Sequence, residues 1–173
     1  MRNRLTIWIF AILIGCGSNS DKSKDCSDVV LDEKIEALSN YNKRFYDENY
    51  TGKVESYFEN NENQPEWVLH YEQGEIVRYE SFYENGDPKI VKPVQCNSTH
   101  GNLIYYMDDS QIGYELEYKF GRKDGIGKSY FENGKVQKVV KFKNDQKHGV
   151  QYEFSESGDT LVIEEFEYGE KIR

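Results

Sequence analysis

Gly125-Ile-Gly-Lys-Ser-Tyr130-Phe-Glu-Asn-Gly134-Lys-Val136, then Lys141-Phe142-Lys-Asn-Asp145 and Lys147-His-Gly149, carries the architecture of this 173-residue chain. Glu132-Asn-Gly-Lys135 sets Asn-Gly between β-rich flanks. A two-residue type I′ turn needs φ > 0 at both central positions, and Asn-Gly supplies it, so the segment predicts a β-hairpin. A looser turn then leads to Gly149.

The same phrase recurs on either side. Gly101, Gly125 and Gly149 are 24 residues apart, as are Phe82, Tyr106, Tyr130 and Phe154. Gly86, Ser110, Gly134 and Gly158 keep that spacing at the tight turn, and Tyr118, Phe142 and Phe166 keep it in the second strand. Four columns with one period mark a tandem array. An earlier copy, Gly52 to Asn61, matches Gly125 to Gly134, but Tyr57 to Tyr71 is a step of 14 against 12 for Tyr130 to Phe142. The turn around Asn63-Gln64-Pro65 is expected to hold the two extra residues. Five units follow: 52–76, 77–100, 101–124, 125–148 and 149–172. Alternation is clearest at Ile112, Tyr114, Leu116, Tyr118 and Phe120, the period of a strand. Pro88 and Pro93 remove ladder donors in the second unit and argue for a bulge, an edge or a loop there. The expected fold is all-β: tandem hairpins in a single twisted antiparallel meander sheet, with a short N-terminal helix possible.

Composition agrees. Hydrophobic residues make up 37% and aromatics 14%, with 14 Tyr and 9 Phe. Apolar surface built from Tyr and Phe suits strands rather than a helical bundle. The net charge of −9 gives no drive towards nucleic acid phosphates or anionic lipid. The three His and the scattered acids show no metal-ligand spacing, and no cofactor is expected.

The pattern Gly-x4-aromatic-x-Glu-Asn-Gly, a second strand ending in an aromatic, and a polar turn to the next Gly resembles the MORN-variant repeat over Arg44 to Arg173. The resemblance implies one twisted antiparallel sheet of stacked hairpins. Bacterial members are often lipoproteins, and many are labelled possible antitoxin components. The chain departs from the pattern at Asn61 and Ser110, where the turn Gly is absent, and over 88–100.

At the N-terminus, Arg2 and Arg4 precede an apolar run, Leu5 to Gly15. Eleven residues are too few to span a bilayer, which takes ~20, but suit a signal-peptide core. Leu13-Ile14-Gly15-Cys16 resembles a bacterial lipobox. That implies cleavage before Cys16 and acylation of Cys16, with the lipid bilayer as its partner. The alternative is an ordinary secretory signal with a chance Cys. Residues 1–15 are therefore read as a lipoprotein signal peptide, 16–26 as lipidated Cys and flexible tether, 27–51 as an entry segment with a half-repeat, and 52–173 as the array. A nine-residue tether reaches roughly 15–18 Å. Gly17 after the Cys looks like outer-membrane sorting in the bacterial cell envelope. Cys26 and Cys96 are free to form a disulfide in an oxidising compartment. Ser27 or Asp28 is expected to cap a helix over Val30 to Leu38, with Leu31, Ile35 and Leu38 on one face. Val29 to Leu31 reads equally as a short strand.

No motif of catalysis occurs: no HExxH, Cys-x-x-Cys, Gly-x-Ser-x-Gly or phosphate-binding Gly loop. His100 and His148 precede repeat glycines 48 residues apart and read as a recurring loop position. The chain is expected not to be an enzyme. Adjacent aromatics in a strand point to opposite faces, so one member of each pair Phe82/Tyr83, Tyr105/Tyr106 and Tyr130/Phe131 is expected to pack in the sheet and the other to lie on the second face, where it either only covers the backbone or meets a partner. Tyr83, Tyr105 and Phe131 are the candidate partner-binding residues. The expected function is a membrane-anchored repeat protein that binds a protein or peptide by sheet face or edge. An antitoxin or immunity role, resting on the resemblance, and a structural envelope spacer are the alternatives.

Overall fold

The computed structural model describes residues 26, 29–42 and 48–173. The lipobox at Cys16, the tether, the cap at Ser27 or Asp28 and most of the half-repeat, residues 43–47, lie outside the described residues. One helix, α1 (Glu33–Asn42), precedes β1 (Gly52–Phe58), β2 (Asn61–Glu72), β3 (Glu75–Phe82), β4 (Pro88–Gln95), β5 (Ser98–Thr99) and β6 (Gly101–Tyr106). There follow β7 (Ile112–Lys119), β8 (Arg122–Tyr130), β9 (Val136–Lys143), β10 (Gln146–Lys147), β11 (Gly149–Phe154), β12 (Thr160–Glu167) and β13 (Glu170–Lys171). All belong to one open antiparallel meander, ordered β1-β2-β3-β4-β6-β7-β8-β9-β11-β12-β13, with β5 on β4 and β10 on β9.

The two kinds of turn are the reverse of the expectation. At Glu84-Asn85-Gly86 the Tyr83 carbonyl accepts from Gly86 (3.0 Å) and the Tyr83 N–H donates to Asp87 (2.9 Å). Of the three, only Gly86 has positive φ (+95°). This is a three-residue loop closed by a glycine bulge, not a type I′ turn. The Asn85 side chain favours it by accepting from the Asp87 N–H (2.9 Å), the local bond that suits Asn to turns. Asn133 does the same for Lys135 (3.0 Å), and Ser110 takes the Gly position at φ +64° without loss of the loop. The looser turns are the ones with positive φ at both central residues. Asn144 and Asp145 stand at +48° and +68°, Phe120 and Gly121 at +49° and +83°, Cys96 and Asn97 at +53° and +55°.

After each of these turns the chain pairs for two residues and then slips. Tyr118 faces Lys123, but Leu116 faces Gly127, so pairing resumes two residues out of step. The glycine column sits in this slip, inside the ladder, with φ +109°, +136° and +86° at Gly101, Gly125 and Gly149. The glycine and aromatic columns are cross-strand partners: Gly101 faces Tyr118, Gly125 faces Phe142 and Gly149 faces Phe166. The second unit keeps its second strand, and β4 lies inside the sheet. Pro93 is tolerated because its missing donor falls at the break between β5 and β6, where its carbonyl accepts from His100 (3.1 Å). The extra residues of the first unit are not in a turn. Asn63 to Pro65 lie within β2, absorbed by register shifts between Ser56 and Phe58.

The helix is displaced from its expected span. Asp32 is the N-cap, its carboxylate accepting from the Ile35 N–H (3.2 Å), and Leu31 precedes the helix and is exposed. Ile35 is fully buried against Val54, Leu69, Tyr71, Ile76, Tyr79 and Val94. The helix therefore lies on one face of β1–β4, with Lys34 bonded to the Tyr79 hydroxyl (2.9 Å) and Asn42 to that of Tyr71 (3.1 Å). A disulfide joins Cys26 to Cys96, with Cα atoms 5.8 Å apart. Residues 29–32 cross the turn end of the sheet: Val30 donates to the Phe120 carbonyl (3.0 Å) and Asp32 to that of Asn97 (3.1 Å). Asp32 also pairs with Lys92. Beyond Val94, Val140 is the one described hydrophobic residue that is buried.

Candidate functional site

Tyr83 and Tyr105 are brought together, and Phe131 is not. The Tyr83 hydroxyl donates to the Tyr106 carbonyl (2.9 Å) and lies 3.1 Å from the Tyr105 hydroxyl. That contact with Tyr105, and then burial, push the Tyr83 pKa up to about 12. Tyr105 stacks on Tyr114 with centroids 5.0 Å apart, because the two are directly opposite on β6 and β7. The ring also needs Gly113, where a Cβ would come within 2.9 Å of it. Tyr83 and Tyr105 are thus occupied with each other. Tyr83, Met107, Phe131 and Ser155 are unit equivalents, and each opens a three-residue loop with its N–H. Phe131 sits two units from Tyr83, half-buried at such a loop, while Tyr105 shares its column with Ser81 and Ser129.

A different surface is open. Val139 faces Tyr152, and Tyr152 faces Ile163, so three side chains 11 to 13 residues apart in sequence form one row across β9, β11 and β12. Directly opposite residues share a face. Lys128 continues the row on β8, and Ile126 stands two residues before it on the same face. Tyr152 is 37% exposed, Ile126 43% and Ile163 63%. Phe154 stacks beside Tyr152 at 6.2 Å. The corresponding face of the first half is charged instead: Glu80 takes His70 at 2.5 Å and Arg78 at 2.6 Å. Expectation missed this row because the aromatic pairs drew attention to the turns. The signal was the run Leu161-Val-Ile163 beside Tyr152, one unit past Val139.

Between the two halves, Glu115 collects three donors: Tyr130 (2.6 Å), Lys128 (3.0 Å) and Asn102 (3.1 Å). The bond from Tyr130, foremost, holds its carboxyl below the usual carboxylate range. Burial and then Glu115 push Tyr130 up to about 12. This cluster ties β6, β7 and β8. His100 packs on Phe120 at 4.4 Å and His148 on Tyr168 at 5.4 Å, each ring lying on the first residue of a positive-φ turn. Among the described residues no group of three or more His, Cys, Asp or Glu is placed to hold a metal ion, and no helix is long and apolar enough to cross a membrane. No protein-family model matches the chain, and no curated protein matches it.

Proposed function

We propose that the chain is a membrane-anchored, non-catalytic repeat protein that binds a protein or peptide partner on the open part of its sheet. The observation that carries this is the row Val139–Tyr152–Ile163 with Ile126 beside it, in which Ile126, Tyr152 and Ile163 are exposed and Val139 half-buried, on strands whose backbones are already laddered. Holding apolar side chains on a rigid ladder lowers the ordering cost of association. Contiguous exposed apolar surface of this kind marks interaction sites. The anchor in this reading is acylated Cys16, acting from the bacterial envelope, and the units are MORN-variant repeats. Both rest on the sequence resemblances. The disulfide between Cys26 and Cys96 joins the end of the tether to the middle of the array, so a pull on the anchor enters the sheet at a covalent point.

Affinity capture from detergent-solubilised membranes tests the reading. Wild-type protein should enrich a partner that the Ile126→Lys/Tyr152→Lys variant recovers at least tenfold less. Equal recovery by both, or no enriched partner, sinks it. Variants of Tyr83 and Tyr105 are poor probes, since each removes the other's contact.

A further inference from the structure

Each unit docks onto the next at one position. Val91 pairs with Ile104, Glu115 with Lys128, and Val139 with Tyr152. The next residue in that 24-residue series is Ile163. Its inner side faces Tyr152. On its outer side no described strand is paired: β13 reaches only Phe166 and Glu167, and Glu165 is bonded to Ile172 (2.8 Å) and Arg173 (3.0 Å). Backbone direction alternates along a strand. Glu165 directs its N–H and C=O outward, so Ile163 does too, and Leu161, the extra residue at the register shift, stands beside it. Their side chains are 63% and 66% exposed. Thr160 to Glu164 contains no Pro or Lys, the usual means by which an edge is blunted.

The charge around this edge is mainly acidic, with Lys171 and Arg173 as the bases beside it. From Glu153 to Glu170 the chain has seven acids and no base. Lys138 answers Glu153 and Lys171 answers Glu164. For Glu156, Asp159, Glu165, Glu167 and Glu170 no ion pair is formed among the described residues. A second copy brings its own net charge of −9 and is repelled, whereas a cationic strand is drawn in.

Resting on the binding reading above, we infer that the outer edge of β12 takes an extended basic peptide as an added antiparallel strand. The peptide alternates apolar and basic residues. An apolar residue sits opposite Ile163, as Ile104 sits opposite Val91 and Tyr152 opposite Val139. Its basic residues lie on the other face, beside Glu164 and Glu153, which already hold Lys171 and Lys138, so the unpaired acids around the edge supply the attraction at longer range. Main-chain bonds supply the affinity and alternate side chains the selection.

The test uses the full chain in detergent and a fluorescein-labelled octapeptide of alternating lysine and valine, read by anisotropy. Binding should weaken at least tenfold for a peptide N-methylated at the amides that face the edge. It should weaken as much for Ile163→Pro, which removes an outward donor and leaves the inner ladder intact. Ile163→Lys keeps the strand and should also weaken binding at least tenfold. Raising salt from low to high should weaken it several-fold. Failure of the octapeptide to bind, or equal binding by the methylated peptide or by Ile163→Lys, overturns the inference. So does self-association by sedimentation that Ile163→Lys abolishes, which assigns the edge to a second copy. If membrane capture still depends on Ile126 and Tyr152 while the octapeptide fails, the face stands and the edge falls.

Discussion

At the scale of single residues, the repeat glycines show how one column answers two demands. Gly125 combines φ +136° with a crowded Cβ position, 2.6 Å from the Cβ of Glu117, whereas Gly158 has φ +100° and open space around it. Gly158→Ala therefore pays for backbone strain alone, ~1–3 kcal/mol. Gly125→Ala adds a collision, roughly 1–3 kcal/mol more. Urea midpoints of the two variants should differ in that order, and equal midpoints would refute the account of the slip. The column itself was legible in the sequence, since glycine is the residue that reads out positive φ. Its place inside the ladder was not, because a slip exists only relative to the neighbouring strand. The same limit applied to Tyr83 and Tyr105. Both were singled out from the sequence as candidates for a partner, and the contact between their hydroxyls joins two neighbouring units.

At the scale of elements, β7 and β8 are joined by the Tyr130–Glu115 contact as well as by their ladder, and this gives the sheet a pH signature. Tyr130 has a folded pKa of about 12 against the ordinary tyrosine value of about 10. Between these values the unfolded chain has lost a proton that the folded chain retains, so stability is full below pH 10 and falls as pH rises towards 12. Tyr57, raised to about 12 first by its bond to Glu55, and Tyr83 act in the same sense. Urea midpoints at pH 9.5 and 11.5 should show a smaller drop for Tyr130→Phe than for the parent, and the same drop in both would be the contrary result. The hairpins were legible from alternation and Asn-Gly, yet turn type was assigned the wrong way round. Asn-Gly satisfies a three-residue loop with one positive φ as well as a two-residue turn with two. The strand register chooses between them. The helix moved for a similar reason: Ser27, Asp28 and Asp32 are all competent caps in isolation, and the docking of Ile35 under Tyr79 and Leu69 selects Asp32.

At the scale of the whole molecule, the chain has a covered half and an open half. The strap formed by residues 29–32 passes over the turn end and delivers α1 to β1–β4, with Cys26 fastened to Cys96, and nothing described covers β7–β12. Closing a loop with a sequence separation of 70 is expected to contribute about 2–4 kcal/mol. Cys26→Ser should lower the thermal midpoint by several degrees, and hydrogen exchange should rise first in α1. A rise that begins in β11 and β12 instead would show that the strap does not hold the helix. The period of 24, the hairpin as its unit, the all-β class and the strand faces within each unit follow from local chemistry: alternation, turn residues and glycine operate over a few neighbours. Three things needed the tertiary structure: which turn is tight, which face the helix takes, and the row Val139–Tyr152–Ile163 with the open edge beside it. Each depends on residues from different units meeting across strands, and a strand pattern specifies which face a side chain takes without specifying what lies opposite it.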